Sequence, residues 1–408
     1  MPSARIHEVV AIEINKDYHF DELLLRMGTV APDSWRNVEP ECGVKDKYLT
    51  HFWNFKIKTG QANDYVEFYL KYYDSLLNPF YFGYLLHLIT DQYFKTYIDP
   101  KFETEVNGIK GYILKDGSFH DDKNWYGYYE SLKLQKQLAR IYNLGLFPIN
   151  REELNNFECN IDELNLNGLF GNNGTLNYIN TTISPTIDDI ESELYDTNEI
   201  IKYIKETVIF IKKELKRLER IKEDDDKKIK IAVDIDDTIL CTKELEEYYL
   251  KEYLLDNPNI DPNKNYKLGD VELAEFWSIY REKIAFGKVK DGVKDSLNLL
   301  LNMGYRVDLL SVRPLEKYAS LKKKMVEYFE LNDINYNYIN LGFYSKKDFL
   351  MHHNYTILID NDIRYINEVS EIGVIPILYG LSNLDYDGYQ TNNWSDIPIL
   401  VKKIIKKE

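Results

Sequence analysis

The chain has 408 residues, more than one hydrophobic core organises, and at roughly 150 residues per domain this implies two or three domains. With 44% hydrophobic and 29% charged residues, 12 prolines and 20 glycines, it is neither disordered nor fibrous. The 51 Lys plus Arg stand against 67 Asp plus Glu, and the formal charge of −16 argues against a stable nucleic-acid complex or a generic anionic-membrane binder.

Cys42, Cys159 and Cys241 lie far apart, form no metal-ligand spacing and fit a reducing compartment. MPSARIHEVV has no apolar leader core, and the most apolar stretch, Phe80 to Ile89, is about half the length a membrane span needs. A cytoplasmic protein without a transmembrane segment is expected.

Residues 1–221 predict an all-α domain. Segments such as DYVEFYLKYYDSLL and NEIIKYIKETVIFIKKELKRLERI carry apolar residues three and four apart, and no alternating strand interrupts them. The Asn-, Gly- and Thr-rich text between 157 and 186 reads as a long loop. The charged KEDDDKK at 222–228 marks a boundary. In 222–408 the apolar runs KIKIAVDI, YRVDLLS, NYNYINL, YTILID and GVIPILYG alternate with helical stretches, which predicts a Rossmann-like α/β domain with a parallel sheet. Two helical stretches between the first and second strands, KELEEYYLKEYLL and ELAEFWSIYREKI, predict a helical cap over about 241–290.

The first strand of that sheet runs into Asp234, Ile235, Asp236, Asp237 and Thr238. In an open parallel sheet the ligand crevice lies beyond the carboxyl ends of the strands, so these acids sit where chemistry is done. Asp234 and Asp236 are two apart; one can attack phosphorus while the other donates a proton to the leaving oxygen and then activates water. Clustered carboxylates call for a hard divalent cation, here Mg²⁺.

These residues resemble the haloacid dehalogenase superfamily, whose first motif, D-x-D-x-T, is matched by Asp234, Asp236 and Thr238. The resemblance extends to Ser311 in DLLSVRP as a phosphate-binding hydroxyl, to Lys346 in SKKDFL as the neutralising lysine, and to Asp360 in TILIDNDIR as a metal ligand. It implies that Asp234, Asp236 and Asp360 hold Mg²⁺ and that Thr238, Ser311, Arg313 and Lys346 surround the phosphoryl group. Lys346 precedes Asp360 by 14 positions, room for one helix and one strand, which favours it over Lys347. Asn361 stands where a second acid is common, leaving Asp362 without an assigned role. FWSIYREKI and the segment down to VDLLSVRP are similar to the 5′(3′)-deoxyribonucleotidase-like branch, which implies a nucleoside monophosphate as substrate. Tyr248, Tyr249, Phe276, Trp277 and Tyr280 offer either a stacking face for a base or packing within the cap.

In the first half, His87 and Asp91 in GYLLHLITDQYF are four apart on one helical face, where a nitrogen and a carboxylate can share a transition metal. With His7, Asp33 and His51 they make three histidines and two aspartates, enough for one ion or for two sharing a carboxylate. RIHE, APDSW, THFW and GYLLHLITD resemble the zinc-dependent phospholipase C family, an all-helical fold shared with zinc nucleases. The resemblance implies Zn²⁺ on His7, Asp33, His51, His87 and Asp91, and water-driven hydrolysis of a phosphodiester or phospholipid headgroup. Secreted members add ligands from a mature N-terminus and from downstream His and Glu, whereas the later N-half histidine here is His120. A contiguous His120-Asp121 pair would suit an HD-type phosphohydrolase only if it lay on a helix, and GSFHDDKNW reads as a loop.

The expected protein is a two-domain phosphoester hydrolase acting on a small phosphorylated substrate. The alternative keeps catalysis in the second half and makes the first a metal-stabilised binding or scaffold module.

Overall fold

A computed structural model of the chain describes residues 3–37, 47–54, 63–121, 125–154, 157–164, 166–182, 191–258, 260, 270–313, 321–342, 345–380 and 386–406. Cys42 and the end of the loop predicted over 157–186 lie outside the described residues. The chain divides into two compact units, 1–223 and 224–408.

The first unit is mainly helical. Its framework is α1 (Ala4–Tyr18), α2 (Glu22–Val30), α3 (Pro79–Tyr93), α4 (Trp125–Ile141) and α5 (Thr197–Asp226), the last running a few residues past the unit boundary. Asn78 caps α3 by accepting from the Phe80 N–H, and Pro79 follows at the first helical position, where a missing N–H costs nothing. Phe80 through Asp91 are all buried, as expected of a helix apolar all round. Two glycines let α2 and α3 touch backbone to backbone. A Cβ on Gly28 would stand 2.0 Å from the Phe80 carbonyl oxygen, and one on Gly83 would stand 2.2 Å from that of Leu25. Next to His7 on α1, Glu8 is fully buried and accepts from Arg5 and Arg26, which ties α1 to α2.

Two features depart from the sequence expectation. An antiparallel sheet, β1 (Glu103–Val106), β2 (Ile109–Ile113) and β3 (Phe119–His120), interrupts the helices. Its tight turn is Asn107-Gly108 at φ 52° and 80°, the primed geometry that twists with a hairpin, and this Asn-Gly signal is legible in the sequence. The segment read as one loop carries two short helices, Leu166–Leu169 and Thr175–Thr181.

The second unit is a six-stranded, wholly parallel sheet. In chain order its elements are β4 (Lys230–Asp234), α6 (Thr242–Asp256), α7 (Asp270–Ile284), α8 (Val293–Asn302), β5 (Arg306–Ser311), α9 (Leu321–Leu331), β6 (Ile339–Leu341), α10 (Lys346–His352), β7 (Ile357–Asp360), α11 (Ile363–Ser370), β8 (Ile375–Tyr379), β9 (Tyr389–Thr391) and α12 (Ile397–Ile405). The strand order is β6-β5-β4-β7-β8-β9. The five apolar runs all form strands, and β9 joins them at the edge. β4, β5 and β7 are buried throughout, which explains their continuous rather than alternating hydrophobicity. The order reverses between β4 and β7, so the crevice at their carboxyl ends is the topological switch point. Between β4 and β5, α6 and α7 pack together through Tyr253, Phe276, Tyr280 and Ile284.

Candidate functional site

Asp234 ends β4 and Asp360 ends β7, neighbouring strands, so their carboxylates emerge side by side. Lys346, at the start of α10, lies between them, with Nζ 2.5 Å from Asp234 Oδ1 and 2.6 Å from Asp360 Oδ2. The Tyr365 ring covers the ammonium at 4.2 Å. All three charged side chains are nearly inaccessible. Burial and the Asp360 carboxylate push Asp234 up to about 8 against the pull of Lys346. Burial likewise raises Asp360, opposed by Lys346. Burial alone would lower Lys346, but the two carboxylates outweigh it and keep the side chain an ammonium. Two carboxylates sharing one cation form a hard-oxygen set with charge to spare, and this donor set fits a divalent ion such as Mg²⁺.

Thr238 Oγ1 is buried, donates to Asp234 Oδ2 at 3.0 Å and also lies 3.2 Å from Asn361 Oδ1. It orients the carboxylate rather than facing the crevice. Ser311 and Arg313, expected on a phosphoryl oxygen, bind Asp236 instead. Ser311 Oγ donates to Asp236 Oδ2 at 3.0 Å, and Arg313 closes a two-pronged pair through Nε at 2.9 Å and Nη2 at 2.5 Å. Burial alone would raise Asp236, but Arg313 outweighs it and holds the carboxyl below its usual range. Lys347 turns away to Glu371, and Asp362 caps α11 while pairing with Arg364.

A cavity of about 120 Å³ lies beside Asp236, lined further by Thr242, Glu246, Trp277, Arg281 and Arg313. It is smaller than the roughly 300 to 1,000 Å³ of pockets that enclose drug-sized ligands, and has room for a phosphoryl group and a few more atoms. Of the five aromatics proposed for base stacking, Trp277 alone lines it. Phe276 and Tyr280 are buried in the α6–α7 contact, Tyr249 stacks on Tyr280, and Tyr248 is exposed. Sequence reading missed Glu246 and Arg281. Each stands one helical turn from a recognised residue, Arg281 resting on the Trp277 ring at 4.1 Å.

The first unit brings His7 (α1), Asp33 (the 3₁₀ turn Ala31–Asn37), His51, and His87 and Asp91 (α3) together. His87 Nε2 lies 3.2 Å from His51 Nε2, and the His7 and His87 rings stack at 4.0 Å. Asp91 Oδ1 is 3.3 Å from His7 Nε2, while Asp91 Oδ2 is 3.6 Å from His51 Nε2 and 3.7 Å from His87 Nε2. Asp33 Oδ1 is 3.7 Å from His51 Nε2. His87 Nδ1 faces the Thr29 carbonyl at 2.7 Å, and His51 Nδ1 faces that of Lys47 at 3.1 Å. A carbonyl only accepts, so His87 Nδ1 carries the proton and its Nε2 presents a lone pair, while His51 Nδ1 also lies 3.0 Å from the Thr50 hydroxyl, which can either donate or accept. Burial and His7 push His87 down to about 3 against the pull of Asp91. Burial alone would raise Asp91, but His87, His7 and His51 outweigh it and hold it below the carboxylate range. The ligand atoms of His7, His87 and Asp91, and those of Asp33, His51 and His87, lie within 4.8 Å of one another, and such groups of imidazoles and carboxylates can hold a metal ion.

The remaining histidines lie elsewhere. His120 sits in β3 opposite Tyr112, not on a helix, which removes the setting an HD-type site needs. His19 ends α1 in the left-handed region, and His352 bonds back to the Asp348 carbonyl at the end of α10.

No family model and no curated protein matches the chain. Solved structures similar to part of it include a putative β-phosphoglucomutase from Thermotoga maritima, at 11% identity over 43% of this chain and 99% of that one, TM-score 0.31. A predicted phosphatase from Clostridium acetobutylicum shares 16% identity over 43% of this chain and 99% of its own, TM-score 0.35. A putative HAD-hydrolase from Bacillus subtilis bound to magnesium shares 12% identity over 43% of this chain and 98% of its own, TM-score 0.32.

Proposed function

We propose that residues 224–408 form a divalent-cation-dependent phosphomonoesterase of the haloacid dehalogenase type. The Asp234–Lys346–Asp360 cluster at the switch point carries this reading, because it combines a nucleophilic carboxylate, a second acid and a buried ammonium. Bound Mg²⁺, held by Asp234, Asp360 and the Asp236 carbonyl, supplies neutralisation of the phosphoryl charge. An Asp234 oxygen attacks phosphorus while the bond to the leaving oxygen breaks, and Asp236, protonated once Arg313 has moved off it to the phosphoryl group, gives that oxygen its proton. Asp236 then takes a proton from water, whose oxygen displaces Asp234 and releases phosphate. Arg313 and Ser311 pass from Asp236 to the phosphoryl oxygens as the substrate enters. The substrate is a small phosphomonoester, and the nucleoside monophosphates implied by the sequence resemblance are one candidate class. Phosphate release with Mg²⁺ across sugar phosphates, nucleoside monophosphates and phospholipid headgroups tests this; an Asp234→Asn variant with undiminished release would overturn it.

A second reading concerns residues 1–223, and the facing His51 and His87 nitrogens favour it. We propose that this unit is a phospholipase C-like helical domain holding one or two Zn²⁺ ions on His7, Asp33, His51, His87 and Asp91, and that it hydrolyses phosphodiesters. Turnover of bis-p-nitrophenyl phosphate by the full chain with Zn²⁺ supports it; retained zinc without turnover would make the unit a metal-stabilised module.

A further inference from the structure

The turn that follows Asp236 is held from behind by two side chains distant in sequence. Lys290 Nζ donates to the Asp237 carbonyl, and Trp394 Nε1 donates to the Thr238 carbonyl at 3.0 Å. Main-chain bonds run alongside, from Lys290 N to the Ile239 carbonyl and from Cys241 N to the Lys288 carbonyl, both at 2.8 Å. Tyr379, at the end of β8, joins the two anchors: its ring lies 4.7 Å from Lys290 Nζ and 5.4 Å from the Trp394 ring. Trp394 is wholly buried, and its own carbonyl accepts from Ser296 Oγ at 2.7 Å. Gly292, at φ 80°, admits it; a Cβ there would come within 3.2 Å of Trp394 Cβ.

Asp237 has φ 54°, a left-handed conformation that residues with a side chain seldom adopt, and its carboxylate accepts from the Thr242 and Lys243 N–H groups. Each peptide is a rigid plane, so fixing the carbonyls of Asp237 and Thr238 fixes the path on which Asp236 and Thr238 sit. Both anchors bind main-chain carbonyls and leave the carboxylates to the chemistry. We propose that Lys290 and Trp394 are positioning residues of the phosphomonoesterase site, holding the turn so that Asp236 meets the leaving oxygen. This rests on the phosphomonoesterase reading.

The test uses the full chain with p-nitrophenyl phosphate and Mg²⁺. Lys290→Met removes one carbonyl donor and keeps most of the bulk, Trp394→Phe removes the other donor together with one ring, and Lys290→Arg restores a donor. The expected result is a fall in kcat of roughly tenfold or more for the first two, since small misplacements of reacting groups are costly, with KM nearly unchanged and kcat recovered in Lys290→Arg. Activity of Lys290→Met and Trp394→Phe within twofold of wild type overturns the proposal, as does a loss fully accounted for by a lower folded fraction in thermal melts. Should Trp394→Phe not fold, the Lys290 pair decides. A wild-type chain without Mg²⁺-dependent turnover removes the phosphomonoesterase reading, and this proposal with it.

Discussion

His51 and His87 face each other Nε2 to Nε2 at 3.2 Å, with His87 Nδ1 committed to the Thr29 carbonyl and His51 Nδ1 between the Lys47 carbonyl and the Thr50 hydroxyl. Two lone pairs at this distance repel unless a proton or a metal ion lies between them. Asp91 and Asp33 approach the same point, so a cation bound there would meet nitrogen and carboxylate ligands together. The chain is therefore expected to retain a transition metal through purification, measured by elemental analysis. Chelation should lower Tm, and Zn²⁺, not Mg²⁺, should restore it. At free metal a thousandfold above Kd the gain is about 4 kcal/mol. His87→Ala should abolish both retention and recovery.

Lys346 holds two buried carboxylates apart. Lys346→Met leaves them uncompensated, which is expected to cost about 3 to 5 kcal/mol in chelator and to abolish turnover. Because Mg²⁺ then supplies the missing charge, its stabilising effect should be larger on Lys346→Met than on wild type, as read by denaturant melts with and without the ion. Equal shifts would place the ion elsewhere.

The Asp234 carboxyl, pushed up to about 8 by burial and Asp360, also sets a pH dependence. A carboxyl whose folded-state pKa is raised contributes stability that is full below its unfolded pKa of about 4 and is lost as pH rises through the folded value. Between those limits the folded state holds one more proton than the unfolded state, so in chelator stability should fall with pH by at most about 1.4 kcal/mol per unit from this group. Mg²⁺ must displace that proton, so the Tm gain it gives should grow from pH 6 to pH 8.5.

The ends of the strands were legible because a fully buried strand reads as an unbroken apolar run, and an acid placed after it marks the carboxyl end of a parallel sheet. The 14-residue spacing selected Lys346 over Lys347 for a similar reason, since one helix and one strand fit between lysine and Asp360. Helical spacing also put Phe276 and Tyr280 on one face, but periodicity does not say which face is covered, and that face packs on α6 while Trp277 meets the cavity. Lys290 and Trp394 left no signal: their bonds to the turn cross 53 and 156 residues, and only the folded sheet brings them together. The Asn107-Gly108 turn carries a hairpin signal that the all-α reading of residues 1–221 leaves out.

Arg313 pairs with Asp236, whose side chain is 39% exposed. Water can therefore replace the arginine on the acid, and Arg313→Met should cost stability only on the order of 1 kcal/mol, the range of partly exposed pairs. Its larger effect should be on binding. If the guanidinium transfers to the phosphoryl group, KM for p-nitrophenyl phosphate should rise roughly tenfold or more. An unchanged KM would confine Arg313 to holding Asp236.

Asp308 lies on β5 away from its carboxyl end and is completely buried. It accepts from Arg306 Nε at 2.8 Å and from the Tyr355 hydroxyl at 2.6 Å, while Arg306 Nη1 reaches Asp225 at 2.5 Å. Burial raises the Asp308 carboxyl against the opposing pull of Arg306. This is a closed set of charges remote from the switch point, so it should affect folding and not turnover. Removing the guanidinium in Arg306→Met strands the Asp308 carboxylate, while Asp225 keeps the Lys230 ammonium at 3.1 Å, and is expected to cost about 3 to 5 kcal/mol in urea denaturation. Replacing Asp308 by Asn at the same time removes the stranded charge and should recover part of that loss. The activity per folded molecule should match wild type in both variants, and a drop in kcat at full folding would tie this cluster to the chemistry.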